Sequence, residues 1–303
     1  MKHTFFVLIS FTLFTSAAQS QLLYRINGNG LAKPSYIVGT YHLAPASFAE
    51  KIPGLAEAFD ACEQVYGEME MSEVSSPEKQ LAIQQQQMLP DGKTLTSLLT
   101  ADQLTRLNAL MRDIFGKDLN NEAFAAQMNH LSPALLSNTI LMITYAKDNL
   151  DLLTGDQSKL LDGHFQALAA QQGKAVKGFE SADFQTEALF GKSLEQQVEE
   201  LMCMVDHYRE ITDMAEFISE AYFSQDLDQL NDLTEEESES ACGSSDEDND
   251  RLLYNRNADW VKAMPEIMRE KPTFFAVGAA HLCGEKGVLT LLRQAGYTVE
   301  AVK

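Results

Sequence analysis

The sequence is short of basic residues and of long apolar runs, and each shortage excludes a class of protein. Lysine and arginine together number 23 against 44 aspartates and glutamates, which gives a formal net charge of −21. A chain this acidic repels the phosphates of nucleic acids and the anionic surfaces of membranes, so we expect no nucleic acid partner. Beyond residue 20, no apolar run is long enough to cross a bilayer, so we also expect no membrane span.

Familiar catalytic signatures are absent as well. The chain has no His-Glu-x-x-His, no Gly-x-Ser-x-Gly and no glycine loop of the kind that cradles phosphate. The commonest motifs of metalloproteases, serine hydrolases and nucleotide-binding enzymes are therefore missing. An active site in this chain would have to be built from other residues.

Cysteine is scarce, with four in the whole chain. An even number permits two disulfides in an oxidising compartment. We favour a bond between Cys203 and Cys242, which flank an acidic helical region; the others are Cys62 and Cys283. Because Cys283 lies two residues from His281, a thiol near a site is the alternative to our interpretation of it as a packed or bridged cysteine.

Residues 1–20 have the pattern of a secretory signal peptide. A short basic start precedes an apolar stretch and then small residues suited to cleavage. The apolar stretch is too short to span a membrane, and no pattern for a lipid-anchored cysteine follows it. We therefore predict an exported protein, periplasmic or secreted, in which residues 21–303 form a single domain.

One motif occurs near both ends of the chain. Residues 36–43 and 275–282 each contain an apolar run, then Val-Gly, two further residues, and His-Leu, with the histidines at His42 and His281. An apolar run of this kind predicts a buried strand, and the glycine lets the chain turn or approach a ligand. The histidine would then lie at the carboxyl edge of an α/β sheet, where sites form. The alternative is two unrelated strands with surface or core histidines.

A third predicted strand carries carboxylates. Residues 65–71 alternate with a period of two, which places Glu68 and Glu70 on one face of the strand. Acidic side chains in so apolar a strand indicate a site. The alternative is an edge strand with one solvated face.

The remaining pattern indicates an α/β fold with a central mixed β-sheet. Asn27-Gly28-Asn29-Gly30 predicts a hairpin turn, and residues 297–302 predict a terminal strand. Residues from about 77 to 223 predict a large helical insertion, interrupted by one strand at residues 175–180.

An acidic stretch follows that insertion. Residues 234–250 hold eight acidic side chains, and part of the stretch imitates the opening of a calcium loop. Arg251 stands where such a loop requires glycine, so the match fails. We interpret the stretch as a solvated, flexible loop.

The two histidines and Glu68 form a ligand set for a divalent ion. Imidazole and carboxylate suit manganese, cobalt or zinc, so we predict His42, His281 and Glu68 as metal ligands. A bound ion makes a water molecule acidic enough to attack a carbonyl near neutral pH. Glu70 would serve as a further ligand or as general base, and Arg256 would fix a substrate carboxylate or an oxyanion.

Four segments together resemble the TraB/GumN family, which includes the Tiki proteins. They are residues 38–42, residues 65–71 with Glu68, Arg256-Asn257-x-x-Trp260, and residues 277–287. Residues 161–162 and 173–180 resemble the middle segment of that family, so the resemblance covers essentially the whole chain beyond residue 20. Two departures are Cys283, where small or apolar residues are usual, and Glu70, where aspartate is common.

The resemblance implies an α/β fold with a helical insertion and, in the Tiki branch, a metal-dependent protease active with manganese or cobalt. His42, His281 and Glu68 fall on the site positions of the family. Arg256 and Asn257 match an Arg-Asn pair with a supporting or substrate-contacting role. With Glu68 and Glu70, we count both among the candidate catalytic residues. Glu180 matches an acidic position to which no role is assigned.

The leading hypothesis is an exported metal-dependent hydrolase, peptidase-like, that acts on a peptide or protein substrate. Two alternatives stay open. One is a non-catalytic exported protein that binds a peptide in the same cleft. The other is a metal-assisted esterase, because a metal-activated water does not by itself select amides over esters. No pattern in the sequence specifies an oligomeric state.

Overall fold

The computed structural model describes residues 21–145 and 157–303 of the chain. The predicted signal peptide, residues 1–20, lies outside the described residues. Among the helices of the described part, none is long and apolar enough to cross a membrane.

The chain begins with the predicted hairpin. Strand β1 (Leu23–Asn27) pairs antiparallel with β2 (Ser35–Thr40), with Tyr24 opposite Ile37. The intervening turn has backbone φ angles of 81° at Gly28, 48° at Asn29 and 81° at Gly30. Glycine and asparagine adopt these left-handed angles most readily, which explains why the turn falls here. The hairpin prediction is confirmed.

Four further strands complete one six-stranded sheet. They are β3 (Gln64–Met69), β4 (Ala175–Glu180), β5 (Thr273–Gly278) and β6 (Thr298–Ala301), and the strand order is β4-β3-β5-β2-β1-β6. Strands β4, β3, β5 and β2 run parallel, whereas β1 is antiparallel to both β2 and β6. The prediction of an α/β fold with a central mixed sheet is confirmed.

Strands β2 and β5 are neighbours although they come from opposite ends of the chain. Thr40 lies opposite Gly278 at their carboxyl ends, so both strands end at the same edge of the sheet. Gly39 provides a close approach rather than a left-handed turn: a Cβ atom there would lie 3.0 Å from Cα of Ala279. The absence of a side chain at Gly39 lets the segment after β5 pack against β2.

Helices surround the sheet and fill the predicted insertion. In chain order they are α1 (Leu55–Asp60), α2 (Pro77–Gln87), α3 (Leu95–Leu98), α4 (Ala101–Phe115), α5 (Glu122–Met128), α6 (Pro133–Tyr145), α7 (Leu161–Gln171), α8 (Ala182–Phe190), α9 (Leu194–Asp206), α10 (Tyr208–Phe223), α11 (Leu227–Ser238), α12 (Asp246–Asn249), α13 (Asn255–Glu270) and α14 (Val288–Gln294). Short 3-10 helices cover Ala46–Lys51, Met71–Ser75, Gln157–Lys159 and Ala279–His281.

Buried apolar residues form two separate clusters. The larger one includes β-sheet residues such as Phe274 and Phe275 and the helical residues Phe165 and Trp260. The second cluster contains no strand residue and draws mainly on α3, α4, α5, α6 and α9, with members that include Leu107, Met111, Leu136 and Leu201. The helical insertion therefore buries an apolar core of its own beside the sheet.

The acidic stretch at residues 234–250 differs from the sequence prediction of a loop. Helix α11 runs through Ser238, and α12 is followed without a break by a π-helix at Asp250–Tyr254 and then by α13. Leu227 and Leu230 of α11 are buried, and that apolar side anchors the helix despite its charged surface. Three carboxylates in the first turn of α12 also interact favourably with the helix dipole.

Two kinds of cross-link hold this acidic stretch to the rest of the fold. Cys203 of α9 forms a disulfide with Cys242, as predicted. Asp248 accepts hydrogen bonds from both Lys192, at 2.6 Å, and Arg251, at 2.9 Å. The run of acidic residues gives no indication of Lys192 as a partner, because Lys192 is remote in sequence.

Candidate functional site

Glu68 lies near the carboxyl end of β3 and is held by two donors. Its Oε1 accepts the backbone N–H of Gly278 at 2.8 Å, and its Oε2 accepts a hydrogen bond from Nη2 of Arg256 at 2.6 Å. The side chain is 15% exposed. Burial by itself raises the pKa of Glu68, but interactions with His281 and Arg256 outweigh burial and lower the pKa to about 2. Glu68 is therefore ionised at neutral pH.

His281 is buried and oriented by an amide. Its Nδ1 lies 2.6 Å from Oδ1 of Asn257, whose Nδ2 donates to the carbonyl of Lys286 at 3.0 Å. Because the Lys286 carbonyl fixes which way the amide points, Nδ1 of His281 donates and Nε2 carries the lone pair. Nε2 lies 3.7 Å from Oε1 of Glu68. Burial lowers the pKa of His281 to about 4, so the imidazole is neutral at neutral pH.

Arg256 links two carboxylates at the start of α13. Its Nε donates to Oε1 of Glu180 at 2.8 Å and its Nη2 donates to Oε2 of Glu180 at 2.9 Å, in addition to the bond with Glu68. Trp260 Nε1 also donates to Oε1 of Glu180, at 2.8 Å. Nη1 of Arg256 lies 3.3 Å from Nε2 of His281. Glu180, to which the sequence assigned no role, thus fixes the guanidinium beside Glu68 and His281.

His42 follows β2 at the same edge and has a different partner. Its Nδ1 lies 3.2 Å from Oδ2 of Asp162 in the first turn of α7, and Thr40 donates to the other carboxylate oxygen. The hydrogen bond with Asp162 raises the pKa of His42 to about 9. The side chain is 75% exposed. An ion bound at His42 would therefore have to displace a proton.

The structure brings some of the predicted residues together and leaves others apart. Glu68, Arg256, Asn257 and His281 form one hydrogen-bonded group. His42 lies with Asp162, and Glu70 follows the last residue of β3 and accepts a hydrogen bond from Ser72.

Three contributors were not among the predicted site residues. They are Asp162, Glu180 and Gln185, whose amide lies 3.3 Å from carboxylate oxygens of both Glu68 and Glu180. Asp162 has the sequence context of an ordinary acid in the first turn of a helix. A pattern search therefore does not distinguish it from a residue that only favours the helix dipole.

The donor chemistry of the group fits a divalent ion. Both histidines have Nδ1 bound to an oxygen acceptor and Nε2 directed elsewhere, which is how metal-binding imidazoles are usually oriented. Glu68 is an ionised carboxylate next to a neutral imidazole. Among the described residues, one group has three possible ligand atoms that all lie within 4.8 Å of one another. It consists of Cys203, His207 and Cys242, and its two cysteines are bonded to each other in the disulfide. The ligand atoms of His42, Glu68 and His281 are thus spread more widely than 4.8 Å.

Together these features define an α/β protein with an imidazole and carboxylate site at the carboxyl edge of a mixed sheet. The sequence model of the TraB/PrgY/gumN family matches residues 22–301, and the chain belongs to that family. The resemblance seen in the sequence is confirmed.

Curated relatives of the chain carry metalloprotease names. It is 24% identical to metalloprotease TIKI2 of Danio rerio, over 88% of this chain and 58% of the relative. It is 23% identical to a metalloprotease TIKI homolog of Nematostella vectensis, over 89% of this chain and 65% of the relative. The chain therefore spans about three fifths of the length of these relatives. No solved structure gives a significant match.

Proposed function

We propose that the chain is an exported metal-dependent hydrolase that cleaves peptide bonds. The observation that carries the proposal is the pairing of ionised Glu68 with neutral His281, whose Nε2 lone pair lies 3.7 Å from the carboxylate. The metalloprotease names of the relatives support the same class of reaction.

In this proposal His42, His281 and Glu68 would hold the ion. Manganese, cobalt or zinc suits this set of one carboxylate and two imidazoles. When bound, the ion would supply an acidic water and polarise the carbonyl of the substrate. The chain's own contribution is orientation: Asn257 and Asp162 fix the two imidazoles, and Gly278 fixes the carboxylate.

Two further residues have proposed roles next to the ligands. Arg256 is held by Glu180 and presents its guanidinium at the site, where it would stabilise negative charge that develops on the carbonyl oxygen. Glu70 is partly exposed just beyond β3, and we assign it the role of general base.

The test is cleavage of a peptide panel by the purified chain after metal removal and reconstitution with manganese, cobalt or zinc. We expect cleavage to need one of these ions, to stop in the His281→Ala variant, and to fall strongly in Glu70→Gln with metal content unchanged. An ester panel run in parallel separates a peptidase from an esterase. Equal cleavage by native protein and His281→Ala would contradict the proposal.

A second candidate is non-catalytic peptide binding. It is favoured by the contacts of Arg256, which already bonds Glu68 and approaches Nε2 of His281, so that a cation occupies the vicinity of both ligands. Peptide binding that survives in a His42→Ala/His281→Ala double variant, with no cleavage by the native protein, would support this candidate over the hydrolase.

A further inference from the structure

A cavity of about 790 Å³ is lined by residues on either side of His42 in the chain, although His42 itself is not part of its lining. The two chain neighbours of that histidine, Tyr41 and Leu43, both line it, and so does Phe48 of the first 3-10 helix. Its other walls come from the carboxyl end of α6 and from one side of α10. The volume is in the range of cavities that hold small ligands or side chains of a bound peptide, roughly 300–1,000 Å³.

Aromatic rings form a fixed apolar wall of this cavity. Phe223 at the end of α10 is 40% exposed and packs edge-on against Phe48, with ring centroids 5.0 Å apart. It makes a similar contact with Tyr41, at 6.2 Å. Rings held by one another in this way lose little freedom when an apolar side chain binds between them.

The rim of the cavity is acidic. Asp213, Glu216 and Glu220 line it at helix spacings of three and four residues, so they share one face of α10. All three are exposed, and no ion pair involves any of them in the part of the chain that the structure describes. Among the described residues, Lys51 is the one basic residue that lines the cavity, and three carboxylates line it with Lys51. Such a rim attracts a cation.

We propose that this cavity is a specificity pocket for the peptide substrate, which receives an aromatic or large aliphatic side chain and, next to it, a lysine or arginine. The inference rests on the proposed function, since it assigns a substrate class to the same sheet edge. It adds that recognition is made by Tyr41, Phe48, Phe223 and the acidic face of α10, outside the proposed ligands His42, Glu68 and His281.

The experiment measures binding of labelled Gly/Ser peptides to metal-free protein by fluorescence anisotropy, so that it does not require catalysis. Three peptides carry Phe-Lys, Phe-Glu or Ala-Lys at their centre. We expect Phe-Lys to bind at least about tenfold more tightly than either other peptide at low salt, with the preference over Phe-Glu shrinking as salt is added. Equal binding of the three peptides, or no binding of any, would overturn the inference.

The charge-reversal variant Glu216→Lys/Glu220→Lys gives a second arm. It should lose the preference for Phe-Lys over Phe-Glu, while its matched control, Glu195→Lys/Glu199→Lys on the exposed face of α9, changes net charge equally and keeps the preference. A third variant, Phe223→Ala, should reduce the preference for Phe-Lys over Ala-Lys. An unchanged preference in the first variant would overturn the inference.

The two proposals fail in distinguishable ways. Selective binding of Phe-Lys without cleavage under any metal would refute the hydrolase and leave the pocket standing. Metal-dependent cleavage at the same rate for all three peptides, unchanged in Glu216→Lys/Glu220→Lys, would refute the pocket and support the hydrolase.

Discussion

The Nδ1 side of the His281 imidazole is held by the amide of Asn257. Asn257 lies in the first turn of α13, where its Oδ1 receives the Nδ1 proton and its Nδ2 is tied to Lys286. Asn257 was predicted from the sequence as a catalytic residue, and its contacts support a positioning role. It acts through His281 and, in the described part of the chain, makes no other hydrogen bond with the group around Glu68.

Asn257→Ala should weaken metal binding about 10- to 100-fold, because the tautomer and ring angle of His281 are no longer fixed. Asn257→Asp is the matched variant, since it keeps an oxygen acceptor for Nδ1. We expect it to retain more affinity than Asn257→Ala. The measurement is metal affinity by competition with a chelating dye, together with the nitrogen chemical shifts of the imidazole. Equal metal affinity in native protein and Asn257→Ala would refute the positioning role.

At the scale of elements, the position of Glu68 depends on how closely β3 and β4 approach. Gly178 of β4 faces the end of β3, and a Cβ atom there would lie 2.6 Å from Cα of Met69 and 2.5 Å from the backbone nitrogen of Glu70. Neither backbone atom can move without moving the strand that carries Glu68. The glycine is therefore needed for this approach.

Gly178→Ala should destabilise the fold by about 1–3 kcal/mol, because a methyl group has no room between the strands. Lys177→Ala, at the neighbouring exposed position of β4, is the control and should cost less. Thermal unfolding of both variants measures the difference. If Gly178→Ala unfolded at the same temperature as the native protein, the two strands would have to tolerate a wider separation.

The helices of the acidic stretch connect to the site through α13. Asp248 of α12 is bonded to Lys192 and Arg251, and α12 leads through the π-helix into the turn that bears Arg256 and Asn257. Burial raises the pKa of Asp248, but hydrogen bonds from Lys192, Arg251 and Ser245 outweigh burial and hold the pKa well below its ordinary value.

Asp248→Asn should destabilise the protein by about 1–3 kcal/mol at neutral pH, since it removes a charge-assisted acceptor. Because the pKa of Asp248 is depressed in the fold, its carboxylate stabilises the protein at pH values above its ordinary pKa of 3.8. This stabilisation is lost progressively as the pH falls below 3.8. The difference in unfolding free energy between native protein and Asp248→Asn should therefore shrink below about pH 4. Asp246→Asn, in the same turn, is the control. A difference that stays constant between neutral and acid pH would contradict this account.

Much of the sheet follows from local sequence patterns, and much of the site does not. Apolar runs and the Asn-Gly turn locate the strands at both ends of the chain, whereas the pairing of β2 with β5 is seen only in the fold. The alternation of side chains predicted that Glu70 shares a strand face with Glu68. Strand β3 ends at Met69, however, so the alternation does not extend to Glu70. Asp162 and Glu180 act through partners remote in sequence, so only the placement of α7 beside the end of β2, and of β4 beside α13, reveals what they do.

At the scale of the whole molecule, the disulfide joins the helical insertion to the acidic stretch. It links Cys203 of α9 to Cys242 across 39 residues, a span that includes α10 and α11. Closing a loop of this length restricts the unfolded chain and stabilises the fold by about 2–4 kcal/mol.

Cys203→Ser/Cys242→Ser should lower the free energy of unfolding by about that amount, 2–4 kcal/mol, in oxidised protein. Under reducing conditions the native protein and the variant should have similar stability, because the native bond is then absent as well. Chemical denaturation with and without reductant measures both. A native protein whose stability does not respond to reduction would contradict the contribution of this disulfide.

We propose that His42 and His281, from opposite ends of the chain, hold one ion at a shared sheet edge. Elemental analysis after reconstitution with manganese, cobalt and zinc tests it most directly, with His42→Ala/His281→Ala compared with the control His130→Ala/His207→Ala. We expect close to one ion per chain in native protein and control, and loss of that ion in the first variant. Equal metal content in all three proteins, or none in the native protein, would show that the two histidines do not share an ion.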